Sequence, residues 1–179
     1  MSGIVDKDRE MLERMPKDRL FDLFFLHIRN LWRVDGLYFL GIEEKFNTDA
    51  AMEIDANCWQ LMGKLEAKAL KKVLKIKGND ISSLIYALRN TSWALDQRDK
   101  EVEVTATKCV YRVTECRTQL TRMRKGLGEF PCRKVRFNYL RSFAEEMNPL
   151  LEVKCRICPP SEHPTSVWCE WEFKLKKTK

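Results

Sequence analysis

The sequence predicts an α+β protein, in which an N-terminal helical lobe precedes a small antiparallel sheet. Apolar residues recur at helical spacing up to about residue 99 and alternate at every second position after it. The 179 residues, 44% hydrophobic and 33% charged, suit one compact domain. We therefore expect a helical part over residues 1–99 and a cysteine-rich, basic α+β part over residues 100–179.

About four helices are expected in the first part. The first is the short charged segment DREMLERM. The second covers KDRLFDLFFLHIRNLWRVDGLYFLGIEEKFN, with a bend expected near Asp35-Gly36. Neighbours are expected to bury this helix, because its apolar residues almost encircle it. These residues include Leu20, Leu23, Phe24, Leu31, Val34 and Tyr38.

The next two helices have recognisable ends. Thr48 is the expected N-cap of a third helix that ends near Lys77-Gly78-Asn79, and Asp80 caps a fourth that ends near Asn90. The third helix carries one broad apolar stripe, which we expect to be buried. The stripe consists of Ala51, Ile54, Cys58, Leu61, Leu65 and Val73.

The second part alternates with the period of a strand. EVEVTATKCVYRVTECR predicts two antiparallel strands with a turn near Thr107-Lys108. Helices are expected from Cys116 to Lys125 and over 133–147, and LLEVKCRI and SVWCEWEFKLK complete a sheet of about four strands. Helices that cross a small antiparallel sheet define the α+β class.

Basic residues concentrate in the second part. Residues 1–99 balance sixteen Lys/Arg with sixteen Asp/Glu, whereas residues 100–179 contain seventeen against ten, which accounts for the net charge of +7. The segment 117–137 has seven basic residues and only Glu129 opposing them. Such a patch favours an anionic partner, although a solvated helix face is an equal interpretation. The candidate anion ligands are Arg117, Arg122, Arg124 and Arg133.

Five of the seven cysteines fall at element ends or in loops of the basic part, where separate segments converge. A Cys-x-x-Cys turn brings two thiolates to one cation, and two further ligands complete a tetrahedron. Neighbouring Arg and Lys favour the thiolate form that binds metals. We predict a zinc ion or an iron–sulfur cluster held by four of the five. The candidate ligands are Cys116, Cys132, Cys155, Cys158 and Cys169.

Two alternatives for these cysteines stay open, a thiol-redox or nucleophilic site and inert structural thiols. His163 is either a fourth ligand or an exposed loop histidine. No residue of the sequence distinguishes a zinc site from an iron–sulfur cluster. Cys58, on an apolar helix stripe, and Cys109, inside a strand, are predicted to be small buried hydrophobic residues.

Glu43 and Glu44 follow an almost wholly apolar helix, so at least one is expected to face inwards or to lie at the helix end. We hypothesise a cleft between the helical lobe and the sheet, with an acidic wall, a basic wall and aromatic lining from Trp32, Tyr38 and Trp59. Glu44 is the candidate catalytic residue, as ligand anchor or proton acceptor. The alternative is an external salt bridge from Glu44 to a lysine.

Other functional classes find little support. The N-terminal MSGIVDKDREMLERMPKDRL is too charged for a signal peptide, and no apolar run reaches the length of a membrane span, so we expect a cytoplasmic protein with reduced thiols. The sequence contains no nucleophile motif, phosphate loop or dinucleotide fingerprint. We rank nucleic-acid binding lower, because the aromatic residues are not interleaved with the basic residues of 117–137 as a stacking platform would require.

Three segments, DGLYFLGIEEKF, ECRTQLTRMRKGLGEFPCR and CRICPPSEHPTSVWCEWEF, resemble a family of small prokaryotic cytosolic proteins of unknown function. The chain is also similar to L-2-amino-thiazoline-4-carboxylic acid hydrolases and to the small-molecule-binding domains named after 4-vinyl reductase. The resemblance implies an α+β ligand-binding fold and supplies no reaction.

Together these observations predict a small-molecule-binding protein with a cysteine-rich metal site, which acts as a hydrolase or desulfurase on a small anionic or amino-acid-like substrate. One alternative is a non-enzymatic metal- or redox-dependent ligand sensor, and another is nucleic-acid binding through the basic part. A homo-oligomer is compatible with the sequence.

Overall fold

A computed structural model describes residues 3–176 and has the predicted α+β architecture. Five helices come first, then a β-hairpin, two helices and two final strands. The helices are α1 Gly3–Glu13, α2 Lys17–Lys45, α3 Thr48–Val73, α4 Ile81–Arg89, α5 Ser92–Asp96, α6 Arg117–Arg124 and α7 Arg133–Met147. The strands are β1 Asp99–Val104, β2 Lys108–Glu115, β3 Leu151–Ile157 and β4 Cys169–Leu175.

Local sequence explains most helix ends. The side chain of Asn47 accepts a hydrogen bond from the Ala50 N–H and caps α3, so the cap lies one residue before the predicted Thr48. Asp80 caps α4 as predicted, through the Ser83 N–H. Helix α2 is continuous from Lys17 to Lys45, so the predicted bend near Gly36 does not interrupt the helix. A single glycine in a helix lowers helix propensity without ending it.

The sheet is antiparallel throughout, with strand order β1-β2-β4-β3. Its inner face contributes Tyr111, Trp171 and Phe173, all fully buried. Helix α7 continues this core on its side that carries Tyr139, Leu140 and Phe143. The sheet and α7 thus form the platform on which α3 and then α2 are layered.

Helices α3 and α7 pack very closely, because Gly63 lies where they cross. A methyl group at Gly63 would overlap the backbone oxygen of Tyr139 and the hydroxyl of Ser142. The Ser142 hydroxyl also donates a hydrogen bond to the Gln60 backbone oxygen at 2.6 Å, which ties the two helices together. This close crossing fixes the position of the aromatic residues on both helices.

Two expectations about burial are wrong. Cys58 is exposed, and so are Ile54, Leu61, Leu65 and Val73, the larger part of the predicted buried stripe of α3. Most of the apolar residues predicted to be buried around α2 are likewise exposed, whereas the prediction for Cys109 is confirmed. A sequence pattern identifies an apolar face of a helix, but it does not show whether the same chain or another molecule covers that face.

None of the helices in the described part of the chain combines the length and apolar character needed to cross a membrane.

Candidate ligand-binding site

A cavity of about 530 Å³ lies between the helical part and the basic part of the chain. One wall is α2, with contributions from α3 and α5, and the other is α6 with the first turn of α7. Cys169 at the start of β4 also lines it. The volume lies within the range of small-molecule sites, which are mostly apolar clefts with a few convergent polar groups.

Arg136 is the most deeply buried of the cationic side chains that line this cavity. It lies on the inner side of α7 with 6% of its surface exposed, and it lines the cavity. The centroids of four aromatic rings surround its guanidinium carbon at 4.9–5.6 Å. These rings belong to Trp32, Trp59, Trp93 and Tyr139. Cation–π attraction offsets part of the cost of burying the charge.

The guanidinium of Arg136 has no ion-pair partner within residues 3–176. Its buried Nη1 makes no hydrogen bond, and among the described residues no carboxylate oxygen lies within 4.0 Å of its nitrogens. A buried cation without a direct partner is costly, so buried arginines are normally paired or hydrogen-bonded. A buried guanidinium without a direct partner is expected where the protein binds an anion.

Polar contacts hold the surrounding rings in place. The Trp32 indole Nε1 donates to the Ser92 backbone oxygen at 3.0 Å, and the Tyr139 hydroxyl donates to Glu66 Oε2 at 2.7 Å. Trp32 and Trp59 stack with centroids 4.6 Å apart and planes nearly parallel. The rings around Arg136 are therefore preorganised, which reduces the cost of ordering a binding site.

Two carboxyl groups share a wall of the cavity close to this aromatic cluster. Asp35 Oδ1 accepts a hydrogen bond from the Trp59 Nε1 at 2.9 Å, and Asp35 and Asp55 are hydrogen-bonded to each other. Burial raises the pKa of both groups, and the neighbouring Asp35 helps to raise the pKa of Asp55 to about 7. The pair therefore shares one proton near neutral pH, with Asp55 as its carrier.

The opposite wall contains two predicted anion ligands in ion pairs. Arg117 Nε lies 3.2 Å from Asp96 Oδ1, and burial raises the pKa of this carboxyl to about 6 although Arg117 opposes the shift. Arg122 donates to Glu43 Oε2 at 3.2 Å and to the Leu127 backbone oxygen, also at 3.2 Å. Since both arginines already have acidic partners, they supply less free positive charge to the cavity than Arg136.

A group of thiols lies beside the cavity at the start of α7. Cys132 Sγ and Cys158 Sγ are 3.3 Å apart, and Cys158 also hydrogen-bonds to Cys155. The Cys158 bond lowers the pKa of Cys155 to about 7, with Arg133 assisting, and it also lowers the pKa of Cys132. The pKa of Cys158, which interacts with both, is raised. Cys132 also lines the cavity, as do Cys116 and Cys169.

The predicted metal site is not preformed in the part of the chain that the structure describes, where no three His, Cys, Asp or Glu side chains are grouped so that they could hold a metal ion. Two thiolates on one zinc ion would be roughly 3.8 Å apart, so the 3.3 Å contact of Cys132 and Cys158 is a hydrogen bond. His163 contacts Glu129 Oε1 at 3.3 Å and packs against Trp168.

Cys155 is expected to be the thiol most reactive at neutral pH. In metal-free protein, its alkylation by iodoacetamide should rise with pH around 7, because its thiolate is stabilised there. The control is Cys58, which is more exposed but whose pKa is raised by burial and nearby carboxylates, so its alkylation at pH 7 should be slower than that of Cys155. Mass spectrometry of alkylated peptides at successive pH values measures both; faster alkylation of Cys58 at pH 7 would contradict this order.

The structure places the predicted site residues unevenly. Arg117, Arg122 and Arg124 line the cavity, whereas Arg133 is exposed outside it. The prediction that Glu44 faces the cleft is wrong, since Glu44 is exposed and does not line the cavity. The helix turns by about 100° per residue, so the preceding glutamate, which pairs with Arg122, faces inwards instead.

The sequence analysis missed Arg136, although a signal was present. Arg136 interrupts the buried stripe of α7, in which Val135, Tyr139, Leu140 and Phe143 recur at helical spacing. An arginine on a buried apolar stripe needs a partner or a ligand. The pairing of Asp35 with Asp55 was missed as well, because it depends on the packing of α2 on α3.

The fold and the cavity define an α+β protein with a preorganised polar cavity between its helical and basic parts. The chain belongs to a family of unknown function, DUF6125, which matches residues 13–175. This confirms the predicted membership of an uncharacterised family. No curated protein and no solved structure matches the chain, so the similarity to the thiazoline hydrolases and to 4-vinyl reductase domains stays a prediction.

Proposed function

We propose that this protein binds a small anionic or zwitterionic molecule in the cavity between α2 and the α6–α7 segment. The observation that carries the proposal is Arg136, a buried guanidinium enclosed by four aromatic rings and without an ion-pair partner among the described residues. A bound carboxylate or a similar anion would accept charge-assisted hydrogen bonds from it. Its binding would supply the direct ionic partner that no described residue gives to Arg136.

The carboxyl pair supports the zwitterionic form of the ligand. Asp35 and Asp55 act on Arg136 by Coulomb attraction and line the same cavity. An ammonium group bound beside them would displace their shared proton and leave two carboxylates facing one cation. An amino-acid-like molecule would thus place its carboxylate at Arg136 and its amine at the acidic pair. This arrangement takes over the role that the sequence analysis gave to Glu44.

A hydrolytic or desulfurising reaction is the catalytic form of the proposal. Asp55, with its pKa near 7, suits the transfer of a proton at neutral pH, and Asp35 orients it. The thiols of Cys116, Cys132 and Cys169 border the same cavity. The predicted similarity to L-2-amino-thiazoline-4-carboxylic acid hydrolases would agree with a small sulfur-containing amino acid as substrate. Without such a reaction the same cavity would serve a ligand sensor in the cytoplasm.

The metal site remains part of the proposal as a prediction. Cys158 is hydrogen-bonded to Cys132 and interacts with Cys155, and loss of their protons would give thiolates suited to zinc or to an iron–sulfur cluster. Elemental analysis and an absorption spectrum of protein purified without oxygen test this directly. A metal-free product would leave these thiols as a redox-sensitive or purely structural group.

Thermal-shift measurements test the binding proposal. The wild type is heated with the common amino acids, short dicarboxylates and inorganic phosphate, and we expect a subset of the anions to raise Tm. The variant Arg136→Met should lose this response, while Arg133→Met, on the exposed side of the same helix, should retain it. Equal ligand-induced shifts in wild type and Arg136→Met would contradict the proposed anchor.

A further inference from the structure

The outer side of α2 carries an apolar stripe at alternating four- and three-residue spacing. Its members are between 37% and 72% exposed although all are large and apolar. The stripe consists of Leu20, Phe24, Leu31, Val34 and Tyr38. The remaining position in this spacing is His27, so the stripe contains no Asp, Glu, Lys or Arg. Apolar residues at this spacing form the seam along which helices pack side by side.

Helix α3 carries a matching exposed stripe of Ile54, Cys58, Leu61 and Leu65. Leu61 lies two residues before Gly63, which contacts α7, and Ile54 lies two residues before Ala56, a buried position two turns earlier on the same side of α3. Since two residues correspond to a rotation of about 200°, this stripe faces away from α7.

The stripe of α2 has the same orientation. Leu31, Val34 and Tyr38 each lie two residues before a residue that lines the ligand cavity. They therefore face away from the cavity and from the first turn of α7, which borders it. Helices α2 and α3 are joined by two residues and pack through Trp32 and Trp59. The two stripes thus form one surface on the outer side of the α2–α3 hairpin, which we call the hairpin face.

The hairpin face is large enough for a stable interface. Its large apolar residues expose on the order of 900 Å², compared with about 800 Å² per partner in a standard protein interface. Few monomeric soluble proteins leave a contiguous apolar patch of more than a few hundred Å² uncovered. The first half of α2 adds Phe21, Phe25 and Leu26, which are exposed on further sides of the helix.

We infer that the hairpin face is a homodimer interface, in which two copies of the chain pack their α2–α3 hairpins together about a twofold axis. A second copy fits best because the stripes lack charged residues, so they offer no ionic contact to an acidic or basic partner. Two identical apolar faces are self-complementary, and twofold dimers are the commonest protein assemblies. The partner's hairpin also covers the first half of α2, whose apolar residues the chain itself leaves exposed.

The dimer leaves the ligand cavities free, because the hairpin face lies on the opposite side of α2. Assembly and ligand binding are therefore separable, and one can fail in an experiment without the other. The interface also accounts for the two sequence patterns that predicted burial on α2 and α3.

Light scattering during size-exclusion chromatography tests the inference. The full-length wild type at micromolar concentration should have twice the 21.2 kDa mass of one chain. Leu31→Glu on α2 and Leu61→Glu on α3 should each weaken dimerisation by about a hundredfold or more, because each buries a carboxylate in an apolar interface. Both side chains are exposed in the single chain, so circular dichroism of the variants should stay that of a folded protein.

The matched control is Leu150→Glu, an exposed leucine in the loop before β3, which should remain dimeric. A monomeric wild type at 100 micromolar overturns the inference, as does an unchanged dimer in both hairpin-face variants. If such a monomer binds vesicles of phosphatidylcholine and phosphatidylglycerol, the hairpin face is assigned to a membrane surface instead.

Discussion

Gly63→Ala is expected to lower the free energy of unfolding by about 3 kcal/mol, because the added methyl has no space between α3 and α7. It would overlap the backbone oxygen of Tyr139, which cannot rotate away, and the Ser142 hydroxyl, which is held by Gln60. The two helices would have to separate, and tightly packed interiors resist such a shift. Urea denaturation followed by circular dichroism measures the change.

Gly36→Ala is the matched control for this substitution. Gly36 also lies inside a helix, but a methyl there meets no atom within 4 Å. The control should therefore gain stability by up to about 1 kcal/mol from the higher helix propensity of alanine. Equal stability of the two variants would mean that α3 and α7 do not cross as closely as the structure has them.

Arg136→Met is expected to raise Tm while removing ligand binding. A structural arginine would instead lower Tm when it is replaced, so the two roles can be distinguished. Methionine has a similar length, packs favourably against aromatic rings and brings no charge into the core. Taking an ion out of water costs several kcal/mol, and a guanidinium with no direct ion pair recovers only part of that cost from its rings, so we expect its removal to stabilise the protein. Removing the guanidinium also removes its attraction for Asp35 and Asp55, whose shared proton limits that cost near neutral pH.

Thermal denaturation of Arg136→Met beside Arg133→Met measures this effect. The control removes an exposed arginine one turn earlier and should change Tm by less than a few degrees. A large loss of stability in Arg136→Met alone would show that the guanidinium holds its four rings together, and that its role is structural.

The alternation of apolar residues and the helix caps were sufficient to predict the α+β class and most elements. Asp80 caps α4 as predicted, and the four strands lie in segments whose apolar residues alternate along the chain. The short helix α5 was missed, since five residues are too few to show a helical period. The exposed stripes of α2 and α3 escaped a correct assignment because a single chain cannot cover them.

The site was predictable only in outline. Its basic segment and its thiols were identified from composition and spacing, and three of the four predicted arginines line the cavity. Whether Glu43 or Glu44 faces inwards depends on the rotation of α2 about its axis. The sequence does not define this rotation, because apolar residues almost encircle the helix. Arg136 was missed because its ring partners come from α2, α3 and α5 as well as from its own helix.

Tryptophan fluorescence tests the central claim most directly, because Trp32, Trp59 and Trp93 all line the cavity and surround Arg136. The wild type and Arg136→Met are titrated with those amino acids, dicarboxylates and phosphate that shift Tm. Our account predicts a saturable change in the emission of the wild type that is absent from Arg136→Met and preserved in Arg133→Met. The same saturable change in Arg136→Met, or none in the wild type with any of these anions, would contradict it.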